Sequence, residues 1–117
     1  MVHGHPPTAV ALITAGVSIP VLTPEHAVMI RRLKVVGFAP PGEAGAKAVK
    51  GALKLCDVVG IRNHGFFSLG SDLHEAASRL EVLEESAKIY LAGKQVGGVS
   101  GLGREALREI REGYMHE

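Results

Sequence analysis

The sequence predicts a layered α/β domain. Segments with apolar residues at helical spacing alternate with short runs rich in valine and isoleucine, and glycine, proline or a capping residue punctuates the joins. A length of 117 residues sets one domain, and 46% apolar residues supply a core for it. A chain of this size buries roughly two thirds of its unfolded surface. With aromatics at 4% and no tryptophan, that core must be built from Val, Ile, Leu and Ala.

Taken in order, the elements are these. His3-Gly4-His5 lies at the start, and Pro6-Pro7 opens a helix, because proline is tolerated in the first turn. The helix runs through Thr8 to Ile13 and stops at Gly16, a C-terminal cap. Val17 to Leu22 is β-branched and reads as a strand, with Pro20 making it an edge or kinked one. Thr23-Pro24-Glu25 starts a second helix with a Thr cap, Pro in the first position and an acidic first turn; it is expected to reach Leu33. Lys34 to Ala39 is a second strand, ended by Pro40-Pro41-Gly42.

Glu43 to Leu55 is an amphipathic helix with Ala48, Val49, Ala52 and Leu53 on one side. Asp57 to Ile61 contains Val58-Val59-Gly60-Ile61, an apolar run suited to a strand covered on both faces. Asn63-His64-Gly65 turns the chain and Phe66 to Leu69 returns it. Asp72 and Glu75 form a capping box, after which Leu73, Ala76, Ala77, Leu80, Leu83, Ala87, Tyr90 and Leu91 recur at helical spacing. Gly97 to Gly101 is a flexible link, and Arg104 to His116 is a charged helix with Leu107 and Ile110 as its apolar stripe. The pattern is αβαβαββα plus a tail, with no internal repeat.

Several function classes drop out. A net charge of +1 does not fit phosphate neutralisation of nucleic acid. No apolar run reaches the ~18 residues of a membrane span, and no signal peptide precedes the first histidine, so a cytoplasmic protein is expected. The single cysteine, Cys56, excludes an internal disulfide and reads as an inert core thiol. One Asn and one Gln among many Glu, Arg and Lys is a thermophile signature, matched equally by a GC-rich bacterial genome.

The chemistry lies in histidines. Residues i and i+2 of an extended segment share a face, so His3 and His5 can reach one ion from one side. Alone, a His-x-His at a chain start reads more simply as two solvated histidines. His64 alters that reading, because it follows the best strand in a glycine-punctuated turn, where functional side chains are held. Three imidazoles with an open fourth position suit a catalytic divalent ion. His26 and His74 lie on helices and read as solvent-facing or structural, and His116 is in the tail. Arg62 reads as orienting its turn or pairing with a carboxylate rather than as a phosphate ligand.

These blocks carry a resemblance. His3-Gly4-His5-Pro6-Pro7-Thr8-Ala9, Ile19-Pro20 with Leu22-Thr23-Pro24-Glu25, Arg62-Asn63-His64-Gly65, Leu69 to Ala76 and Glu81 to Tyr90 stand in the order and spacing of the class II aldolase/adducin family, which the sequence therefore resembles over roughly residues 2 to 95. The resemblance implies a three-layer α/β/α fold with a mixed sheet, a homo-oligomer (a tetramer in the family), and a divalent metal, zinc first, held by His3, His5 and His64. It implies cleavage of a sugar phosphate such as fuculose 1-phosphate, the metal polarising a carbonyl and stabilising an enediolate. It also implies a truncated single domain over residues 1–117, with 1–95 matching and 96–117 forming a Gly-rich link and helix. The family's N-terminal elements, with phosphate loops and an acid/base glutamate, have no counterpart here, so no catalytic residue is assigned. Glu25 reads as a first-turn helix residue and Tyr114 matches a family tail tyrosine only weakly. Two readings compete with the aldolase: a non-catalytic adducin-like metal-binding or assembly module, and a family epimerase or dehydratase acting on a sugar phosphate.

Overall fold

The computed structural model describes residues 1–115, so His116 lies outside the described residues. The elements are β1 (Val2–Gly4), α1 (Pro7–Thr14), α2 (Pro24–Met29), β2 (Leu33–Val36), α3 (Glu43–Leu53), β3 (Val58–Ile61), β4 (Gly65–Ser68), α4 (Leu73–Gln95) and α5 (Arg104–Met115). Four strands form one mixed sheet in the order β1-β4-β3-β2, with β2 parallel to β3 and the other two pairings antiparallel. The α/β layering is as the sequence predicts.

Helices cover both faces of the sheet, and strand alternation divides the side chains between them. On one face Val58 and Phe66 join Leu12 and Ile13 of α1 and Leu80, Leu83 and Ala87 of α4 in the buried core. On the other, Ile61 and Phe67 face Val49 and Leu53 of α3 across a shared cavity. The buried side of α3 is Gly45, Val49 and Ala52, whereas Ala48 points to solvent. Cys56 is half-buried rather than a core thiol.

The strand expected at Val17 to Leu22 does not form. Pro20 has no N–H to offer a ladder, and the segment bonds outside the sheet instead: the Val17 N–H donates to the Leu12 carbonyl at 2.9 Å, and the Leu102 N–H to the Val21 carbonyl at 2.7 Å. A strand forms instead at Val2–Gly4, whose three residues pair with Phe66 to Ser68.

Helix α2 ends at Met29, four residues before its expected limit, because two of its last carbonyls are taken by tertiary partners. The Arg111 Nε donates to Ala27 O at 3.2 Å and the Arg79 Nε to Met29 O at 2.7 Å. Ile30 then leaves helical geometry, which frees Leu33–Val36 to enter the sheet. Asp72 caps α4 as expected, with the Glu75 N–H donating to Asp72 Oδ1 at 2.7 Å, whereas the Glu75 side chain reaches one residue beyond the N-cap and accepts from the Ser71 N–H at 2.9 Å. Among the described residues no helix is long and apolar enough to cross a membrane.

Candidate metal centre

Two adjacent strands and one turn bring the three histidines together. His3 sits mid-β1 directly across from Phe67 of β4, and their rings stack with centroids 4.2 Å apart. His5 follows β1 just before α1. His64 lies in the β3–β4 turn, which three hydrogen bonds fix. The Arg62 Nε donates to Ile13 O at 3.0 Å, the Asn63 N–H to Thr14 Oγ1 at 2.8 Å, and the His64 N–H to Ile61 O at 3.1 Å. Arg62 thus orients the turn, through a carbonyl at the end of α1 rather than a carboxylate. Asn63 takes a left-handed backbone with φ of 63°, a conformation that asparagine accepts more readily than most residues.

One ligand nitrogen from each of His3, His5 and His64 lies within 4.8 Å of the other two. The His3 ring stands 4.6 Å from that of His5 and 4.9 Å from that of His64, centroid to centroid, both edge-on. This spacing can close around a small cation, and the donor set is the neutral imidazole chemistry that zinc and similar ions accept. His3 Nδ1 lies 3.0 Å from the Phe66 carbonyl. That carbonyl can only accept, so Nδ1 carries the proton and Nε2 is left as the lone-pair donor, the outer-shell arrangement that fixes a metal-binding tautomer. His3 has its pKa lowered, first by partial desolvation and then by the neighbouring charges of His5 and His64, against the pull of the Phe66 carbonyl. It therefore stays neutral, and competent to ligate, further into the acid range than a free histidine.

His3 and His5 are exposed and His64 is half-buried, so the trio opens outward. Beside it lies a cavity of about 770 Å³ between α3 and the sheet, lined by His3, His64, Phe67, Ile61, Val49 and Leu53 among others. Lys50 and Lys54 are the lysines in that lining. No sequence motif marks Phe67 as a neighbour of His3, since cross-strand register decides it. Glu25 is exposed in the first turn of α2 and Tyr114 is exposed on α5; neither joins the histidines. His74 is exposed, whereas His26 is buried, so the solvent-facing alternative fails for it.

Residues 1–91 match the family described as "Class II Aldolase and Adducin N-terminal domain". An L-fuculose phosphate aldolase of Methanocaldococcus jannaschii is 38% identical over 93 residues, covering 78% of this chain and 50% of that protein. A 3-oxo-tetronate 4-phosphate decarboxylase of Cupriavidus necator is 31% identical, covering 97% of this chain and 57% of that protein. A solved L-fuculose 1-phosphate aldolase superposes with a TM-score of 0.83 at 23% identity, over 97% of this chain and 54% of that one, a likeness of fold. The chain spans about half the length of the curated relatives it matches.

Proposed function

The chain belongs to the class II aldolase/adducin family, and from that premise we propose that it supplies the metal-binding half of a carbon–carbon lyase site for a sugar phosphate such as fuculose 1-phosphate. The observation that carries this reading is the convergence of three imidazole nitrogens within 4.8 Å. His3, His5 and His64 are the ligands, and zinc is the first ion to test. Bound there, a divalent ion supplies a Lewis acid that draws electron density from a substrate carbonyl oxygen without a Schiff-base lysine. The chain's own residues do the positioning. The Phe66 carbonyl fixes the His3 tautomer, Phe67 holds the ring by stacking, and the Arg62-Asn63 turn presents His64. Because the trio faces outward, an ion held there would keep a coordination position open to substrate.

A second reading is a metal-binding or assembly module without turnover. Two features favour it: no carboxylate joins the histidine cluster among the described residues, and the adjacent cavity is mostly apolar. Two measurements separate the readings. Zinc binding is followed by chelator competition for the wild-type chain and for His3→Ala, His5→Ala and His64→Ala. Each loss of a ligand should weaken binding by more than the roughly 10–100-fold typical of outer-shell changes. Cleavage of fuculose 1-phosphate, with and without zinc, then decides: turnover supports the lyase, and tight zinc binding with no turnover leaves the module. Wild-type affinity in any one of the three variants would remove that residue from the site.

A further inference from the structure

Helix α1 starts immediately after the His3-Gly4-His5 segment, yet it has no cap of its own. Its N-cap is Pro6, which makes no side-chain cap hydrogen bond, and Pro7 in the first turn has no N–H. The first free donors are the Thr8 and Ala9 N–H groups. Both go to one side chain far along the chain: Thr8 N–H to Glu84 Oε2 at 3.1 Å and Ala9 N–H to Glu84 Oε1 at 2.9 Å. Glu84 projects from the middle of α4, so its two oxygens clamp the beginning of α1 to that helix. A carboxylate there satisfies two orphan donors and meets the positive end of the helix dipole. With α1 only 8 residues long, its start depends on such tertiary support.

The clamp matters because His5 has few other restraints. His3 is held by the β1–β4 ladder, the Phe66 carbonyl and the Phe67 ring. His64 is held by its turn. His5 lies outside the strand, one residue before the Pro6 corner that Glu84 pins. We propose that Glu84 is a positioning residue for the metal centre: by fixing the start of α1 it sets the pose of His5 against His3 and His64. The inference rests on the metal-ligand reading of the three histidines.

Zinc affinity by chelator competition, and the visible spectrum of the cobalt(II)-loaded chain, test it in wild type, Glu84→Ala and Glu84→Gln. Arg79→Ala serves as a control on the same helix, because it removes contacts to α2 and to Leu69, just past β4, and none of its hydrogen bonds goes to α1. Glu84→Ala should bind zinc about tenfold more weakly, as loss of an outer-shell support does, and its cobalt spectrum should shift. Glu84→Gln, which keeps one acceptor oxygen, should fall between. Arg79→Ala should lower stability with zinc affinity within about twofold of wild type, since distant sites act independently. Wild-type affinity in Glu84→Ala would overturn the inference, as would equal weakening in Arg79→Ala, because affinity would then follow stability alone. If Glu84→Ala does not fold, wild-type affinity in Glu84→Gln overturns it. If the wild-type chain itself binds no zinc, the metal reading fails first and visibly, and the inference falls with it.

Discussion

The missing side chain of Gly65 leaves the room that His5 occupies. A Cβ built on it would lie 2.6 Å from both the Gly4 carbonyl oxygen and His5 Cδ2, closer than real side chains approach. Gly65→Ala must therefore push β1 or the His5 ring away. The expected outcome is zinc affinity reduced by about tenfold or more, the scale of outer-shell damage; calorimetric titration that returned the wild-type value would show that His5 is not a ligand. His26 gives a different single-residue prediction. Its ring is buried, Nδ1 has no hydrogen-bond partner among the described residues, and its pKa is lowered, chiefly by burial and then by the Arg111 charge. The unfolded chain therefore takes up a proton below about pH 6.5, before the folded chain does. More protons on the unfolded state means stability that is full above that pH and declines as the pH falls toward the folded value. Urea midpoints measured from pH 7.5 to pH 5.5 should fall for wild type and fall less for His26→Leu; parallel slopes would reject this role for His26. The three histidines were legible in the sequence because each sits in a short motif; what brings them together, the β1–β4 pairing and the bonds of the β3–β4 turn to α1, was not. The burial of His26 was not, because it depends on α5 folding back over α2.

Secondary-structure elements were legible where two signals agreed and illegible where pairing decided. Helix α4 had both an apolar repeat and a capping box, and β3 had a continuous apolar run, so both appear where expected. Val17 to Leu22 had the composition of a strand but no neighbour in the sheet, whereas Val2–Gly4 had almost no strand signal and a full partner in β4. Strand formation is a property of two segments, and one segment's sequence reports half of it. The early end of α2 has the same origin, in arginines far along the chain. Arg79 is the more connected of these, since it donates to Met29 O and to Leu69 O and pairs with Glu75 at 3.3 Å while its side chain is 13% exposed. It joins the end of α2, the end of β4 and the first turns of α4. Arg79→Ala should cost about 2 kcal/mol, the range for hydrogen bonds to a charged donor when their acceptors are left buried. Arg79→Lys should recover only part of that, because one ammonium cannot reproduce the guanidinium fork. Chemical denaturation measures both, and a change below about 0.5 kcal/mol, the level of an ordinary surface substitution, would mean that the arginine is a solvated bystander.

At the scale of the whole molecule the two faces of the sheet are unequally covered. The α1/α4 face is closed, with Phe66, Leu83 and Ala87 fully buried. The α3 face keeps the cavity of about 770 Å³, and Phe67 and Leu53 remain only half-buried there. Met1 and Phe38 add further exposed apolar area on the molecule. An open apolar surface of this kind favours association, since each Å² removed from water is worth about 25 cal/mol. The partner present in every solution of the protein is a second copy of the chain, so the expected state is a homo-oligomer joined across this face, with the histidines beside the contact. Light scattering over a hundredfold dilution series, the range in which a 2.8 kcal/mol difference in association becomes visible at about 1.4 kcal/mol per tenfold, should show a mass above that of one 12.3 kDa chain, falling on dilution. Leu53→Glu places a charge in the cavity lining without touching β1 or the β3–β4 turn. It should give a monomer that still binds zinc. A Leu53→Glu chain with wild-type mass would move the contact to another surface. A monomeric wild type at the highest concentration would leave the α3 face open to water, and the cavity beside the histidines would then be free for a small ligand.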